Sequence, residues 1–405
     1  MDSLAIYSNS SVFEKAHDSE FNIKVNLSSG SFKYGQEDIK FTNLLNLTSA
    51  LEKSFSFDNV IVYGSVLSYS SEINVRTIFA GLLGITKKSL RYIDADENIT
   101  SRVGLLSRVF NAIGVRPEFS KLNGFAMLEF RRDVSNAWED FERALVCKVV
   151  SQNMLSTQEF IEGVSKSIEK KKPYSFIRVN HCENRLLGYG VSYSQEEAEI
   201  TYQIQFGYNL EKNDTSAISH MLRGAVADAD SIGLPTLKKL SSNKLHILEN
   251  STYFHLRYFN CYLKKSYTSV NIHYELGRAL EFKRLLCQVN KIYAITCRNL
   301  AKLESSLGRE VEVIKIPAEY VYSENSSNQK HYPDIFFQVL NRISKSIKPG
   351  DLVLVGAGIL GKIYCNEVKK AGGVAIDLGS LFDAISGINT RGNGFNDDFW
   401  WNVTD

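Results

Sequence analysis

An α/β protein, with a parallel-sheet ligand-binding domain preceded by a smaller α/β domain, is what three features of the sequence predict. From about residue 290 to 380, short apolar runs alternate with helical patterns, as in a parallel sheet covered on both faces. Within that stretch, KPGDLVLVGAGILGKIYCNEVKKAGGVAIDLGS reads as strand, glycine turn, helix and strand. Residues 1–145 carry strand and helix candidates of their own, which sets them apart as an N-terminal α/β domain of unknown role. Residues 146–405 then form the second domain.

Composition narrows the function classes. The 405 residues are 44% hydrophobic and 23% charged, with a formal net charge of +2. That near-neutral balance gives no support to nucleic acid as a partner. The six cysteines (147, 182, 261, 287, 297 and 365) form no CxxC pair and read as reduced thiols of a cytoplasmic protein. No stretch approaches the ~20 apolar residues of a membrane span. The first residues, MDSLAIYSNS, lack the basic start and apolar core of a secretion signal.

Taken in order, Leu4–Tyr7, Asn22–Val25, Asn59–Val62 and Leu90–Ile93 are strand candidates, and 75–85 and 99–113 are helix candidates. Asp94 and Asp96 end a strand as either a metal-binding loop or a cap. One helix is expected over 137–172, stopped by Pro173 after a lysine run. Tyr174–Val179 is a strand and 217–229 a helix. Asp228 and Asp230 lead into Ser231-Ile232-Gly233-Leu234-Pro235, read as a turn whose acids either cap or contact metal or ribose. Helices follow over 273–286, 299–307 and 335–347, with strands at 292–297 and 311–316.

The 348–391 stretch carries the densest set of candidates. Asp351–Val355 has Val and Leu on both faces, which suits a buried strand. Gly356, Gly358 and Gly361 give the turn that lets a helix pack tightly on a strand or a backbone approach a phosphate. Helical spacing continues to Gly372, and Val374–Leu378 is the second strand, with Asp377 at its carboxyl end. Asp377, Ser380 and Asp383 leave that edge together, either as loop caps or as contacts to a nucleotide or sugar. The Gly-x-Gly-x-x-Gly pattern, with an acid 21 residues after its first glycine, also fits a dinucleotide site. Only 28 residues remain after Asp377, however, too few to complete a dinucleotide domain opening here.

Other residues stand at strand or helix ends. Glu319, after Pro317, is either a general base for an acceptor hydroxyl or a solvated loop acid. His331 precedes Tyr332-Pro333 at a helix start, where it would meet phosphate or serve as a staple. His273 opens a helix as a structural residue or a ligand contact. Trp400-Trp401 look exposed, as a pair that would grip a sugar face, lie at a membrane interface or pack back onto the domain.

Several separated pieces coincide in order: SFIRVNHCENRLLGYG, ADADSIGLP, NIHYELGRALEFKRLL, YAITCRNL, IPAEYVYSENSSNQKHYPDIF and LVLVGAGILGKIYCNEVKKAGGVAIDLGSLFDAISGINTR. Together they resemble bacterial glycosyltransferases of the GT-D fold, over about 174–391. The resemblance implies a cytoplasmic enzyme moving a sugar from a nucleoside-diphosphate sugar to a surface polysaccharide or glycoprotein glycan, with a glycan or lipid-linked glycan as acceptor and peripheral membrane association. It also implies roles for residues. Arg178 and Glu183 fall in the family's first motif, where His181 replaces an expected aspartate. This makes Glu183 and His181 candidates for Mn²⁺ or Mg²⁺, or His181 a cation or acid without metal. Arg391 matches an arginine that would grip the diphosphate. Catalysis would then rest on Glu183, His181 and Glu319. The donor would lie against Arg178, Gly356, Gly358, Gly361, Asp377, Ser380, Asp383, Arg391 and His331. The expected place for the diphosphate is between the helix after Val355 and the Arg178–Glu183 segment. An inactive binding module in a polysaccharide-assembly complex, and an NAD-dependent oxidoreductase, are the rival readings.

Overall fold

The computed structural model describes residues 2–7, 23–34, 36–64, 71–94, 99, 102–122, 125–131, 141–322, 329–388, 390 and 398–402. Asp96 and Arg391 lie outside the described residues, as does part of the IPAEYVYSENSS segment. The chain divides into two compact units, one of 1–147 with 190–194 and 236–257, the other of the remainder.

In the first unit, six strands form one sheet: β1 (Ser3–Tyr7), β2 (Ile23–Asn26), β5 (Phe57–Tyr63), β6 (Thr86–Ile93), β7 (Glu118–Leu122) and β8 (Phe125–Arg131). Their order is β2-β1-β5-β6-β8-β7, the first four parallel to one another and β8 antiparallel to both β6 and β7. A separate hairpin joins β3 (Ser31–Tyr34) and β4 (Glu37–Lys40). The Glu72–Ile85 helix starts where Ser71 Oγ accepts from the Asn74 N–H at 3.2 Å. It buries Phe79 edge-on against Tyr92 and Phe110. Asp94 is a buried acid that accepts from the Tyr92 hydroxyl at 2.8 Å, an internal hydrogen bond at a strand end.

The second unit is a seven-stranded, wholly parallel sheet: β9 (Tyr174–Arg178), β10 (Ser231–Leu234), β11 (Ser266–Ser269), β12 (Ile292–Thr296), β13 (Glu312–Lys315), β14 (Leu352–Gly356) and β15 (Val374–Asp377). Their order is β11-β10-β9-β15-β14-β12-β13. Both faces are covered, as unbroken apolar strands require. Leu352, Leu354, Val374 and Ile376 point into one cluster with Phe160 and Phe282. The opposite face receives the Gly361–Lys370 helix, which packs on β9, β14 and β15.

Four local expectations change. The 231–235 turn is instead strand β10, all four residues buried. Gly233 makes that possible, because a Cβ there would touch the side chains of Arg178 and Phe176. The single 137–172 helix is two, Phe141–Gln152 and Thr157–Glu169. Between them Leu155 donates to Tyr267 O at 2.8 Å, and Ser156 and Glu159 form a capping box that starts the second helix. The 273–286 helix is also two, parted at Ala279, which is extended (φ −77°, ψ 113°). Trp400 and Trp401 are buried rather than exposed. Trp400 Nε1 donates to Leu276 O at 3.0 Å and Trp401 stacks on Phe399. Among the described residues no helix is long and apolar enough to cross a membrane.

Candidate functional site

The strand order singles out one edge of the sheet. From β9 the chain winds outward through β10 and β11, crosses to β12 and β13 on the far side, and returns inward through β14 and β15. The winding direction reverses beside β9 and β15, and crevices at such reversals open at the carboxyl ends of the strands. Three ends meet there: Arg178 closes β9, Asp377 closes β15 and Gly356 closes β14. Val355 is paired with Asp377, and Phe176 with Ile376.

The side chains at that edge form one buried ion network. Asp377 accepts from the Arg178 backbone N–H at 3.1 Å and faces the Arg178 guanidinium at 3.6 Å. Arg178 Nε donates to the Asp377 carbonyl at 3.1 Å, and Nη1 donates to Val270 O at 3.3 Å while lying 2.8 Å from Nδ1 of His273. Lys362, on the first turn of the helix after the glycines, reaches Glu183 Oε1 at 2.6 Å, Asp377 Oδ2 at 3.2 Å and Gly358 O at 3.0 Å. The other Glu183 oxygen accepts from the Asn180 N–H at 2.9 Å, which caps the His181–Leu187 helix. Burial alone would raise the pKa of Asp377, but Lys362 and Arg178 outweigh it and hold the carboxyl below its usual range. Burial works against charge on Lys362 too, and Asp377 and Glu183 overcome it, so the ammonium is held more firmly than usual.

The glycines serve close approaches. Gly379 has φ +49°, and a Cβ there would fall 1.8 Å from Arg178 Nη2. Gly358 has φ +54°, and its Cβ would fall 1.9 Å from Gln205 Oε1, the atom that accepts the Ile359 N–H. A side chain at Gly356 would strike the Phe382 ring, and one at Gly361 would press on Val355.

The remaining candidates lie as follows. Ser380 Oγ is 3.3 Å from His273 Nε2 and 3.3 Å from the Tyr274 hydroxyl. Asp383 pairs with Arg298 at 2.7 Å and accepts from Thr390 at 2.6 Å. Glu319 is half-buried, with Oε1 3.1 Å from where a Gly358 Cβ would be. His181 is half-buried on the first turn of its helix. His331 is buried, its Nε2 3.1 Å from the Tyr364 hydroxyl and its ring edge-on to Phe206, the surroundings of a structural histidine. Asp228 is 3.4 Å from Asn366 Nδ2, and Asp230 pairs with Lys369 at 2.8 Å. The space expected to receive a diphosphate, between the Arg178–Glu183 segment and the helix after Val355, is filled by Lys362. Arg178, Glu183, Asp377 and the glycines were legible as candidates; Lys362, Arg298 and Gln205 were not.

The GT-D fold-like domain family matches residues 155–385, more than half of the chain. The chain belongs to that family. Its GT-D-like domain coincides with the parallel sheet and with every strand that builds the edge. Two solved structures of domain of unknown function 1792 also match, one a selenomethionine derivative and one described as having a distinct glycosyltransferase fold. They are 17% and 16% identical, cover 60% of this chain and 83% of theirs, and have TM-scores of 0.37 and 0.36. No curated protein matches the sequence.

The two carboxylates at this edge, Glu183 and Asp377, are engaged by the chain's own donors. Both oxygens of Glu183 and both of Asp377 already face N–H donors or cations. Among the described residues no three His, Cys, Asp or Glu side chains are grouped to hold a metal ion.

Burial pushes the His331 imidazole down from 6.5 to about 4. The unfolded chain therefore binds a proton through that window while the folded chain does not, so His331's share of stability is complete above about pH 6.5 and falls with pH. Between about pH 7.5 and about pH 5 this should destabilise the protein by about 2 kcal/mol, a loss that His331→Gln removes. Urea unfolding of both proteins at the two pH values checks it.

Proposed function

We propose that the GT-D-like domain is a glycosyltransferase domain that binds a nucleoside-diphosphate sugar at the carboxyl edge of its sheet and passes the sugar to a glycan acceptor. The observation that carries this reading is the convergence of Arg178, Glu183, Lys362 and Asp377, from separate strands and helices, at the point where the sheet reverses its winding. Buried charge of this kind is costly to assemble, and it recurs where a fold prepares a site for charged ligands.

In this reading the diphosphate lies above Lys362, on the rim of the glycine turns, and the residues take the following roles. The Gly356–Gly361 and Gly379 turns bring backbone close to the rim, where N–H groups can meet diphosphate oxygens. Arg178, held by Asp377 and Val270 O, lies against the Gly379 turn and would fix its position. The departing diphosphate is stabilised by these fixed dipoles and charges, which need no rearrangement as negative charge grows. Glu319, beside the Gly358 turn, is placed to take the proton of an acceptor hydroxyl. His181, two residues before Glu183, and Ser380, beside His273, would serve as contacts for ribose or sugar. Lys362 and Glu183 are positioning residues.

A dinucleotide reading loses its acid: Asp377, which would hold a ribose hydroxyl, is 1% exposed and bound to Lys362 and Arg178. The binding-module reading is favoured by one feature, that Glu183 is fully engaged inside the protein. A panel of UDP-, GDP-, TDP- and CMP-sugars separates the outcomes. Release of nucleotide with one of them supports the transferase. Thermal protection without release makes the domain a binding module, and no protection by any of them overturns the donor site. For the responding nucleotide, Arg178→Lys should weaken binding about tenfold or more, because an ammonium cannot replace the guanidinium fork. Calorimetric titration measures it.

A further inference from the structure

We infer that this chain carries its own counter-cation: the ammonium of Lys362 stands where a divalent ion would have to sit between Glu183 and Asp377, so that side of the site takes no Mn²⁺ or Mg²⁺.

The four carboxylate oxygens account for the inference one by one. Glu183 Oε1 is on Lys362 at 2.6 Å and Oε2 on the Asn180 N–H at 2.9 Å. Asp377 Oδ2 is on Lys362 at 3.2 Å and on the Arg178 N–H at 3.1 Å, and Oδ1 faces the guanidinium at 3.6 Å. A hard divalent cation needs several oxygens at little more than 2 Å, with the rest of its shell in water. Here the oxygens point at nitrogens, the network is buried, and a further doubly charged ion would sit against two cations at low dielectric. The position of Lys362 argues the same way. A cation in the first turn of a helix is opposed by the helix dipole. Lys362 is nevertheless buried there, with the Gly358 carbonyl as its third acceptor at 3.0 Å. The two carboxylates hold it there.

For the donor, this means that diphosphate charge is met by backbone N–H groups and fixed side-chain cations rather than by a bridging metal. That consequence rests on the nucleotide-sugar reading; the metal titration below does not. Mn²⁺ alone is titrated into the full chain, with free Mn²⁺ followed by electron paramagnetic resonance. Wild type and Glu183→Gln should give the same isotherm, and a wild-type site that Glu183→Gln removes would overturn the inference. Lys362→Met uncovers the carboxylates and should gain a Mn²⁺ site about tenfold or more tighter than any in wild type. That site should disappear again in Lys362→Met with Glu183→Gln, and a folded Lys362→Met chain that gains none also overturns the assignment. If Lys362→Met does not fold, the comparison of wild type with Glu183→Gln decides alone. In a second arm, nucleotide affinity should be equal in EDTA and in Mn²⁺; an increase of about tenfold with Mn²⁺ that Glu183→Gln abolishes overturns the inference. A chain that binds no nucleotide sinks the donor reading, while the Mn²⁺ isotherms still decide whether Lys362 replaces a metal.

Discussion

Asp377→Asn is expected to lower the unfolding free energy of the C-terminal unit by about 3–5 kcal/mol, the loss that follows when one partner of a buried ion pair is removed. The substitution keeps the shape of the side chain and deletes only its charge. Lys362 and Arg178 then share a single carboxylate, Glu183, which Arg178 is not seen to reach. Exposure decides the size of the effect: the side chains of Lys362 and Asp377 are 5% and 2% exposed, so water cannot make up the difference. Lys362→Met should cost a similar amount, and the double variant less than the sum, because the second change removes the charge that the first left unpaired. Trp400 and Trp401 are packed in this unit, so tryptophan fluorescence in a urea titration follows it. The pH dependence gives a further check. The lowered pKa of Asp377 contributes stability that is present above its ordinary value of 3.8 and is lost as pH falls through the lowered one. The raised pKa of Lys362 contributes stability that is present below 10.5 and is lost only in strong alkali. The deficit of Asp377→Asn should therefore be flat between about pH 5 and about pH 9, where His331 has its own and separable effect.

What the sequence disclosed follows a physical line between local and distant information. The βαβ edge was readable because its signals are contiguous. β14 and β15 are apolar on both faces, the glycines follow at once, and helical spacing runs on to Gly372. The parallel class followed from the alternation, and the family followed from ordered motifs. Pairing was not readable. Arg178 and Asp377 are 199 residues apart, and nothing in either neighbourhood names the other as partner. Lys362 left one trace, a lysine in the first turn of a helix, on the wrong end of the dipole and beside Ile363 and Tyr364, in a segment otherwise built to be buried. β10 was hidden because Gly233 and Pro235 look like punctuation, whereas the glycine is there to let Arg178 and Phe176 lie close. The tryptophan pair misled for a similar reason: an aromatic pair beside acids near a chain end looks solvent-facing until the Ile272–Arg278 helix is seen to cover it. His331 followed the same rule, since its neighbours Phe206 and Tyr364 are remote in sequence.

Gly379→Ala should cost roughly 100-fold in sugar transfer, the scale of loss when a positioning group is displaced by about 1 Å. Two effects are mixed in such a change, and the structure supplies a way to part them. Any L-residue at φ +49° carries a left-handed penalty of about 1 kcal/mol. Gly308 has φ +62° with open space around it, so Gly308→Ala meets that penalty alone. At Gly379 the new methyl would also stand 1.8 Å from Arg178 Nη2. A flexible side chain could swing aside, but this guanidinium is tied to the Asp377 carbonyl, to Val270 O and to His273. Relief must come from breaking those bonds or from lifting the Gly379 turn, and either change moves the rim where the diphosphate is proposed to sit. Gly308→Ala should thus show about 1 kcal/mol of lost stability with unchanged nucleotide affinity. Gly379→Ala should lose nucleotide affinity and turnover well beyond that. If the two variants bind nucleotide equally well, Arg178 does not shape the donor site, and the chemistry must be sought elsewhere along the sheet edge.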